Sequence, residues 1–313
     1  MQALPTLRQL QFFLALVRRQ SFSKAAADCL VSQSTLSSAI KQLETILDAH
    51  LVDRSTRRFA LTPAGRDVAR RAAVILSEAE DLVRSAAARK PLEGPLQLGV
   101  IPTIAPFLLP RVAPALRRGF PKLELYLRED LTAALVERLV DGAIDAALIA
   151  LPYELPGIEW IAVGEDPFYV AAPPGSPLAA KKTVEAGDLK GAPLLLLEDG
   201  HCLREHALDA CRLHDSDVYG SFSATSLFTL TQMVRAGLGA TLLPKMAIDA
   251  GLAANDDLVV RPLAARDAMR TIGLAWRKGS GRREECELLA GAIKGEMAKE
   301  ADPKKERPRR RAS

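Results

Sequence analysis

The sequence predicts an α/β protein in three parts: a small helical head, a long linker helix and a larger body of two α/β lobes. Three observations carry this reading. Charge is partitioned, with 14 Lys/Arg against 8 Asp/Glu in residues 1–90, 22 against 29 in residues 91–302 and 6 against 1 in residues 303–313. An apolar seven-residue repeat runs through residues 68–86. Beyond a Pro/Gly break at Pro91 to Pro95, strand-like runs and helical periods alternate. The net charge of +4 over 313 residues therefore hides a basic head, an acidic body and a basic tail. A basic head of this size points to nucleic acid.

In the head, Leu7, Leu10, Leu14 and Val17 recur at helical spacing, and a second short helix is predicted from about Ser23 to Leu30 with Ser21 or Ser23 as its cap. Val31 and Ser32 make a turn, and Ser32 caps a third helix that carries Leu36, Ile40, Leu43 and Leu47 on one face. Two short helices joined by a tight turn form a helix-turn-helix. The exposed start of the third helix presents Gln33, Ser34, Thr35, Ser37, Ser38 and Lys41, short hydrogen-bonding groups suited to base edges and phosphates. A hairpin-like stretch from Asp53 to Leu61 carries Arg54, Arg57 and Arg58, placed to grip phosphates beside the groove. A three-helix unit with a merely polar surface would show the same spacing.

Thr62-Pro63 reads as the N-cap and first residue of a helix reaching about Arg89. Within it Val68, Ala72, Ile75, Ala79, Leu82 and Ala86 hold the heptad spacing. Such a stripe pairs with a second helix, which favours a homodimer, or else packs on its own domain.

The body opens with strand Leu96 to Ile101, helix Ala105 to Phe120, strand Leu123 to Arg128, helix Ala133 to Asp141 and strand Asp145 to Ala150, a βαβαβ order that implies a parallel sheet. A second set follows: strands Phe168 to Ala172 and Pro193 to Glu198, helices from Leu203 and from Ser226 to Ala236, and strands Ala240 to Leu243 and Leu258 to Leu263. Strand Thr271 to Trp276 and helix Glu284 to Lys299 close it. Two crossings, near Gly164 to Pro167 and near Ala264 to Arg270, would enclose a crevice at the carboxyl ends of the strands.

Thr103 and Thr132 follow the first two strands of the body, and each stands where it could cap the next helix. Cys202 falls at a helix N-terminus, where the dipole, His201 and Arg204 favour thiolate and Glu198, Asp199 and Glu205 oppose it. Cys211 shares an apolar stripe with Leu203, Ala207 and Ala210. Nine residues of intact helix hold the two Cα atoms roughly 13 Å apart on opposite faces, whereas a disulfide needs them within about 7 Å. Either both thiols are inert or their bonding unravels the helix, by sulfenic acid and condensation.

Other chemistries fit less well. His201, Cys202, His206, Cys211 and His214 supply no paired spacing for structural zinc, so no metal is expected. Gly237-Leu238-Gly239 follows a helix and precedes a strand, the reverse of a dinucleotide loop, and no cofactor is expected. No window of eighteen apolar residues occurs, and Met1 to Gln11 has no leader pattern, so the expectation is a cytoplasmic protein with no membrane partner.

The stretch SFSKAAADCLVSQSTLSSAIKQLE followed by LTPAG resembles the winged helix-turn-helix of LysR-type transcriptional regulators. The body, with GPLQLGVIPTIAPFLLP, LEDGHCLREHALDAC, SATSLFTL, GLGATLLP and RTIGLAWR, resembles the hydrogen-peroxide-sensing members of that family. The resemblance implies a periplasmic-binding-protein-like effector domain, a peroxidatic Cys202 and a resolving Cys211. It also implies that Thr103, Thr132 and His201 hold peroxide or its water network, and that Arg270 stabilises the thiolate. The implied partners are promoter DNA, hydrogen peroxide, RNA polymerase, further copies of the chain as dimer and homotetramer, and a thiol reductant such as glutaredoxin or thioredoxin. The implied role is activation of antioxidant genes, not enzymatic turnover. Ser34 stands where the family commonly has proline, and Asp48 replaces a common glycine after the third helix.

The expected domains are a winged helix-turn-helix over residues 1–62, a linker helix over 63–91, a regulatory domain over 92–300 and a basic tail over 301–313 that is either a solubilising end or extra DNA affinity. The regulatory domain divides into one lobe of residues 92–165 with 268–300 and another of 166–267. A regulator of this architecture that answers to a small organic metabolite, and a thiol peroxidase, are the alternatives.

Overall fold

A computed structural model describes residues 3–53, 59–86, 90–213, 223–254, 257–265 and 268–300. The chain divides into two compact units, one formed by Met1–Arg89 with two short later segments and one by most of the remainder.

In the first unit, α1 (Leu7–Arg19), α2 (Phe22–Asp28) and α3 (Gln33–Leu47) close around Phe13, Leu16, Leu36, Ile40 and Leu43, all fully buried. The core face of α1 is turned slightly from the expected stripe: Phe12, Phe13 and Leu16 fill it, and Leu7 is exposed. Ser21 and Ser32 cap α2 and α3, accepting from the Lys24 and Thr35 amides. Asp48 ends α3 at φ 48°, ψ 42°, a left-handed position in which glycine is least strained, so the family's usual residue there has a backbone reason. Strands β1 (Val52–Asp53) and β2 (Ala60–Leu61) form an antiparallel pair.

Helix α4 (Pro63–Ala86) begins as expected, with Thr62 Oγ1 accepting from the Gly65 amide at 2.9 Å. A Cβ on Gly65 would stand 2.1 Å from the Leu51 carbonyl oxygen, so this position of LTPAG admits no side chain. The stripe packs on the head core only in part. Val68, Ala72 and Leu76 pack on the head core, while Ile75, Leu82 and Val83 are exposed.

The second unit contains β3 (Gly94–Val100), α5 (Ala105–Gly119), β4 (Leu123–Glu129), α6 (Thr132–Val140), β5 (Ala146–Leu151) and β6 (Ile158–Ala172). Then come β7 (Val184–Glu185), α7 (Cys202–Cys211), α8 (Leu227–Arg235), β8 (Thr241–Pro244), α9 (Lys245–Asp249), β9 (Val259–Ala264), β10 (Met269–Arg277) and α10 (Arg283–Glu300). The sheet runs β4-β3-β5-β10-β6-β9-β7, with β8 also on β6. The expected parallel βαβαβ unit is its β4-β3-β5 side.

Two expectations are corrected. The crossing near Gly164 to Pro167 is not a loop: β6 runs through it as one fifteen-residue strand, because β10 pairs with it as far as Met269 opposite Pro167. Leu194 to Leu197 are buried as a strand would be, yet make only isolated bridges, to Ala240 and Ala224. Gly239 permits the first of these, since a Cβ there would lie 2.1 Å from the Pro193 carbonyl oxygen.

Candidate functional site

The loops that leave the carboxyl ends of β3, β4 and β5 carry Thr103, Thr132 and Pro152-Tyr153, and antiparallel β10 brings Arg270 to the same end. Arg270 is the largest fully buried side chain of the protein. Its Nε and Nη2 donate to Asp166 Oδ2 at 3.1 and 2.9 Å, its Nη1 donates to Thr103 Oγ1 at 2.7 Å, and Nη2 also donates to the Thr103 carbonyl at 3.0 Å. Asp166 is 2% exposed and its Oδ1 accepts from the Met246 amide at 2.9 Å. A buried guanidinium is tolerable only when paired and hydrogen-bonded, and here four donor contacts and one carboxylate do so. Asp166 gave no signal in the sequence, because its partner lies 104 positions away.

Cys202 is the first residue of α7 and is buried. Burial pushes its thiol pKa up; Arg270 acts most strongly against that, followed by the Thr132 hydroxyl, while Glu205 adds to the rise and a backbone hydrogen bond at Ala150 opposes it. The charge that faces Cys202 is therefore Arg270. Arg204, expected to help, instead pairs with Asp199 at 3.0 Å and donates to the Leu197 carbonyl. His201, also expected to help, is held neutral: burial lowers its pKa, with Glu198 opposing.

The capping expected of the two threonines is absent. The residue before α5 is Ile104, with no side-chain cap, and Thr103 is committed to Arg270. Thr132 is the first residue of α6, 2% exposed, and its hydroxyl faces the Cys202 thiol rather than a helix amide.

The other end of α7 differs. Cys211 lies in the apolar core with Leu203, Ala207 and Ala210, and burial alone raises its pKa to about 11. Both cysteines are free thiols, at the first and last positions of one unbroken ten-residue helix. Arg212 follows at φ 50°, a left-handed conformation unusual for a side chain of its size.

A groove of about 520 Å³ opens beside this end of the sheet, lined by Ala133, Val136, Pro152, Tyr153 and Glu205. His206, weighed in the sequence only as a zinc ligand, is 7% exposed with Nε2 3.0 Å from the Pro152 carbonyl oxygen. Among the described residues no group of three His, Cys, Asp or Glu side chains could hold a metal ion.

In the head, Ser32, Gln33, Ser34, Thr35, Ser38 and Lys41 are exposed and Ser37 is half-buried. Their polar groups are partly engaged with one another: Ser32 Oγ lies 2.8 Å from Ser34 Oγ and 2.7 Å from Thr35 Oγ1, and Ser23 Oγ donates to Gln33 Oε1 at 2.8 Å. Arg54, Arg57 and Arg58, His214 and the basic tail lie outside the described residues.

A capped helix-turn-helix with a two-stranded wing, and an α/β domain with a polar site at its strand ends, define a transcription regulator with a separate sensor domain. The chain belongs to the LysR family: the bacterial regulatory helix-turn-helix protein description matches residues 7–66 and the LysR substrate binding domain matches 89–298. It is 42% identical over 297 residues to a probable hydrogen peroxide-inducible genes activator of Mycobacterium avium, covering 94% of each chain. It is similar to a full-length OxyR variant from Pseudomonas aeruginosa at a TM-score of 0.80 and 36% identity, covering 93% of this chain and 98% of that one. A Corynebacterium glutamicum OxyR cysteine variant with hydrogen peroxide bound matches at 0.66 and 36%, covering 96% and 95%. No helix among the described residues is long and apolar enough to cross a membrane.

Proposed function

We propose that this protein is a transcription regulator that senses hydrogen peroxide at Cys202 and transmits oxidation through α7 to its DNA-binding head. The single observation that carries the proposal is the unlike placement of two thiols on one helix. Cys202 sits under a buried cation at the strand ends and Cys211 in hydrocarbon nine positions on. Cys202 thiolate attacks one peroxide oxygen, the O–O bond breaks, and sulfenic acid and hydroxide result. Cys211 thiolate then displaces hydroxide from the sulfenic sulfur to give the disulfide. The second step cannot occur on intact α7, because roughly 13 Å must shrink to about 7 Å. The helix unravels, and the lobe that packs on it repacks.

Thr103, Thr132 and His201 hold the peroxide or its water network, and Arg270 steadies negative charge on sulfur. Gln33, Ser34, Thr35, Ser37, Ser38 and Lys41 read or grip promoter DNA from the start of α3, Ser32 sets that helix, and Arg54, Arg57 and Arg58 add phosphate contacts. The exposed half of α4 joins two copies as a dimer, two dimers form the tetramer, and the oxidised form recruits RNA polymerase to antioxidant genes in the cytoplasm. A thiol reductant such as glutaredoxin or thioredoxin resets the switch, so one oxidation is registered per reduction rather than turned over. Residues 1–62, 63–91 and 92–300 divide the work as head, linker and sensor.

The test is transcription in vitro from a promoter that the protein binds. Peroxide at near-stoichiometric dose should switch wild type and leave Cys202→Ser unresponsive. Full peroxide response in Cys202→Ser, or a response only to an organic ligand, contradicts the proposal.

A further inference from the structure

His206 is a buried histidine with a fixed tautomer and a free lone pair. Its Nε2 lies 3.0 Å from the Pro152 carbonyl oxygen. A carbonyl can only accept, so Nε2 carries the hydrogen and Nδ1 is the unprotonated nitrogen. That Nδ1 is buried and has no hydrogen-bond partner among the described residues. A buried polar atom without a partner costs free energy, so its retention calls for a use.

The helix puts His206 on the same face as the reacting cysteine. His206 follows Cys202 by four positions in α7, which sets the two side chains on one face with Cβ atoms about 5–6 Å apart. Arg270 acts on both the Cys202 thiol and the His206 ring, so one guanidinium bears on the two groups. Apart from the neutral His201 that precedes Cys202 in the chain, the other groups described around the thiol are engaged or exposed. Asp166 is bound to Arg270, Thr103 accepts from Arg270, and Glu205 and Asp209 on α7 are exposed.

We propose that His206 Nδ1 is the proton acceptor for Cys202, taking the Sγ proton directly or through one water as sulfur attacks peroxide and returning it to the departing oxygen. The inference rests on the peroxide-sensing reading above. The balance closes: the S–H bond breaks and N–H forms, S–O forms as O–O breaks, and the imidazolium proton passes to the leaving hydroxide to give water. Thiol and peroxide become sulfenic acid and water, and His206 ends as it began. The arrangement answers a difficulty of the site, where a thiol whose ionised form is disfavoured by burial must still become a nucleophile.

The test is the rate constant for Cys202 oxidation by hydrogen peroxide, followed by quenching and trapping of the sulfenic acid in full-length protein carrying Cys211→Ser. His206→Gln keeps a donor for the Pro152 carbonyl and removes the basic nitrogen. The rate is expected to fall about 100-fold, within the usual range for a lost general base. The pH profile supplies a readout that a structural role would not move. The groups facing His206 are Arg270 from β10, the Pro152 carbonyl after β5, and Glu205 and Asp209 on α7, with Cys202 one turn before it. Burial holds the His206 pKa below its ordinary 6.5 and raises that of Tyr153 above 10. The rate with His206 present should therefore rise through an inflection below pH 6.5 to a plateau, and His206→Gln should lose that inflection. Equal rates and profiles in the two proteins overturn the proposal. If His206→Gln does not fold, a rate with His206 present that climbs only with thiol ionisation above pH 9 overturns it equally. Failure of Cys202 to oxidise even with His206 present would instead remove the sensing reading.

Discussion

Cys202 and Cys211 end the same helix, and the helix delivers them to unlike surroundings. At the first residue, four loops and strands converge polar groups on the sulfur, and a guanidinium tied to Asp166 and Thr103 supplies positive charge. At the last residue the sulfur lies in the apolar core of the lobe, and burial alone raises its pKa to about 11. The same element therefore carries one thiol prepared to react with a small polar oxidant and one that waits in hydrocarbon. On the proposed function, reactivity is a property of the neighbours, and the intact helix is the spring that keeps the two thiols apart.

That contrast can be broken at either end. The largest effect is expected from Cys202→Ser, which should abolish sulfenic acid formation and the transcriptional response, read by trapping and by transcription in vitro. Next is Asp166→Asn. It leaves the Arg270 charge buried without its carboxylate, at a cost of about 3–5 kcal/mol, read as a lowered urea midpoint. It should also slow Cys202 oxidation, whereas Cys211→Ser should leave that rate near wild type and halt the reaction at sulfenic acid or a mixed disulfide.

The titration behaviour differs in sign between the thiol and the histidines. Cys211 has a folded pKa above its unfolded value, so its stabilising contribution is complete below pH 9 and is lost as pH rises towards 11. Cys211→Ala should flatten the alkaline fall in unfolding free energy. His201 and His206 have folded pKa values below 6.5, so their contribution is complete above 6.5 and is lost as pH falls. His206→Gln should flatten the acid limb.

The smallest effect sharpens the spring. Asp209 is exposed near the C-terminus of α7, a weak helix former with its charge at the unfavourable end of the dipole. Asp209→Ala should strengthen the helix by about 0.5 kcal/mol and slow disulfide formation about twofold, without altering the first oxidation. An unchanged second step would mean that unwinding of α7 does not limit it.

Much of this contrast is local in sequence and could be read there. Helix position, the apolar stripe around Cys211 and the nine-residue separation all follow from residues within one turn or two of each other. So do the caps at Ser32 and Thr62. The rest depends on contacts between distant segments. Asp166 meets Arg270 only because β6 and β10 pair through the crossing near Gly164 to Pro167. His206 acquires its tautomer from Pro152, 54 positions earlier. Arg204 and His201, adjacent to Cys202, suggested charge that folding removes: one turns to Asp199 and the other is buried neutral. Proximity along the chain misled where proximity across the sheet decides.

The central claim is that Cys202 reacts first and then bonds to Cys211 across an unravelled helix. Peptide mass spectrometry of the full-length protein after a brief, near-stoichiometric hydrogen peroxide pulse tests it most directly. The account predicts Cys202 sulfenic acid at the earliest times, replaced by a peptide pair linked Cys202 to Cys211. Both thiols remaining reduced, or a disulfide that instead joins Cys29 or Cys286, would contradict it.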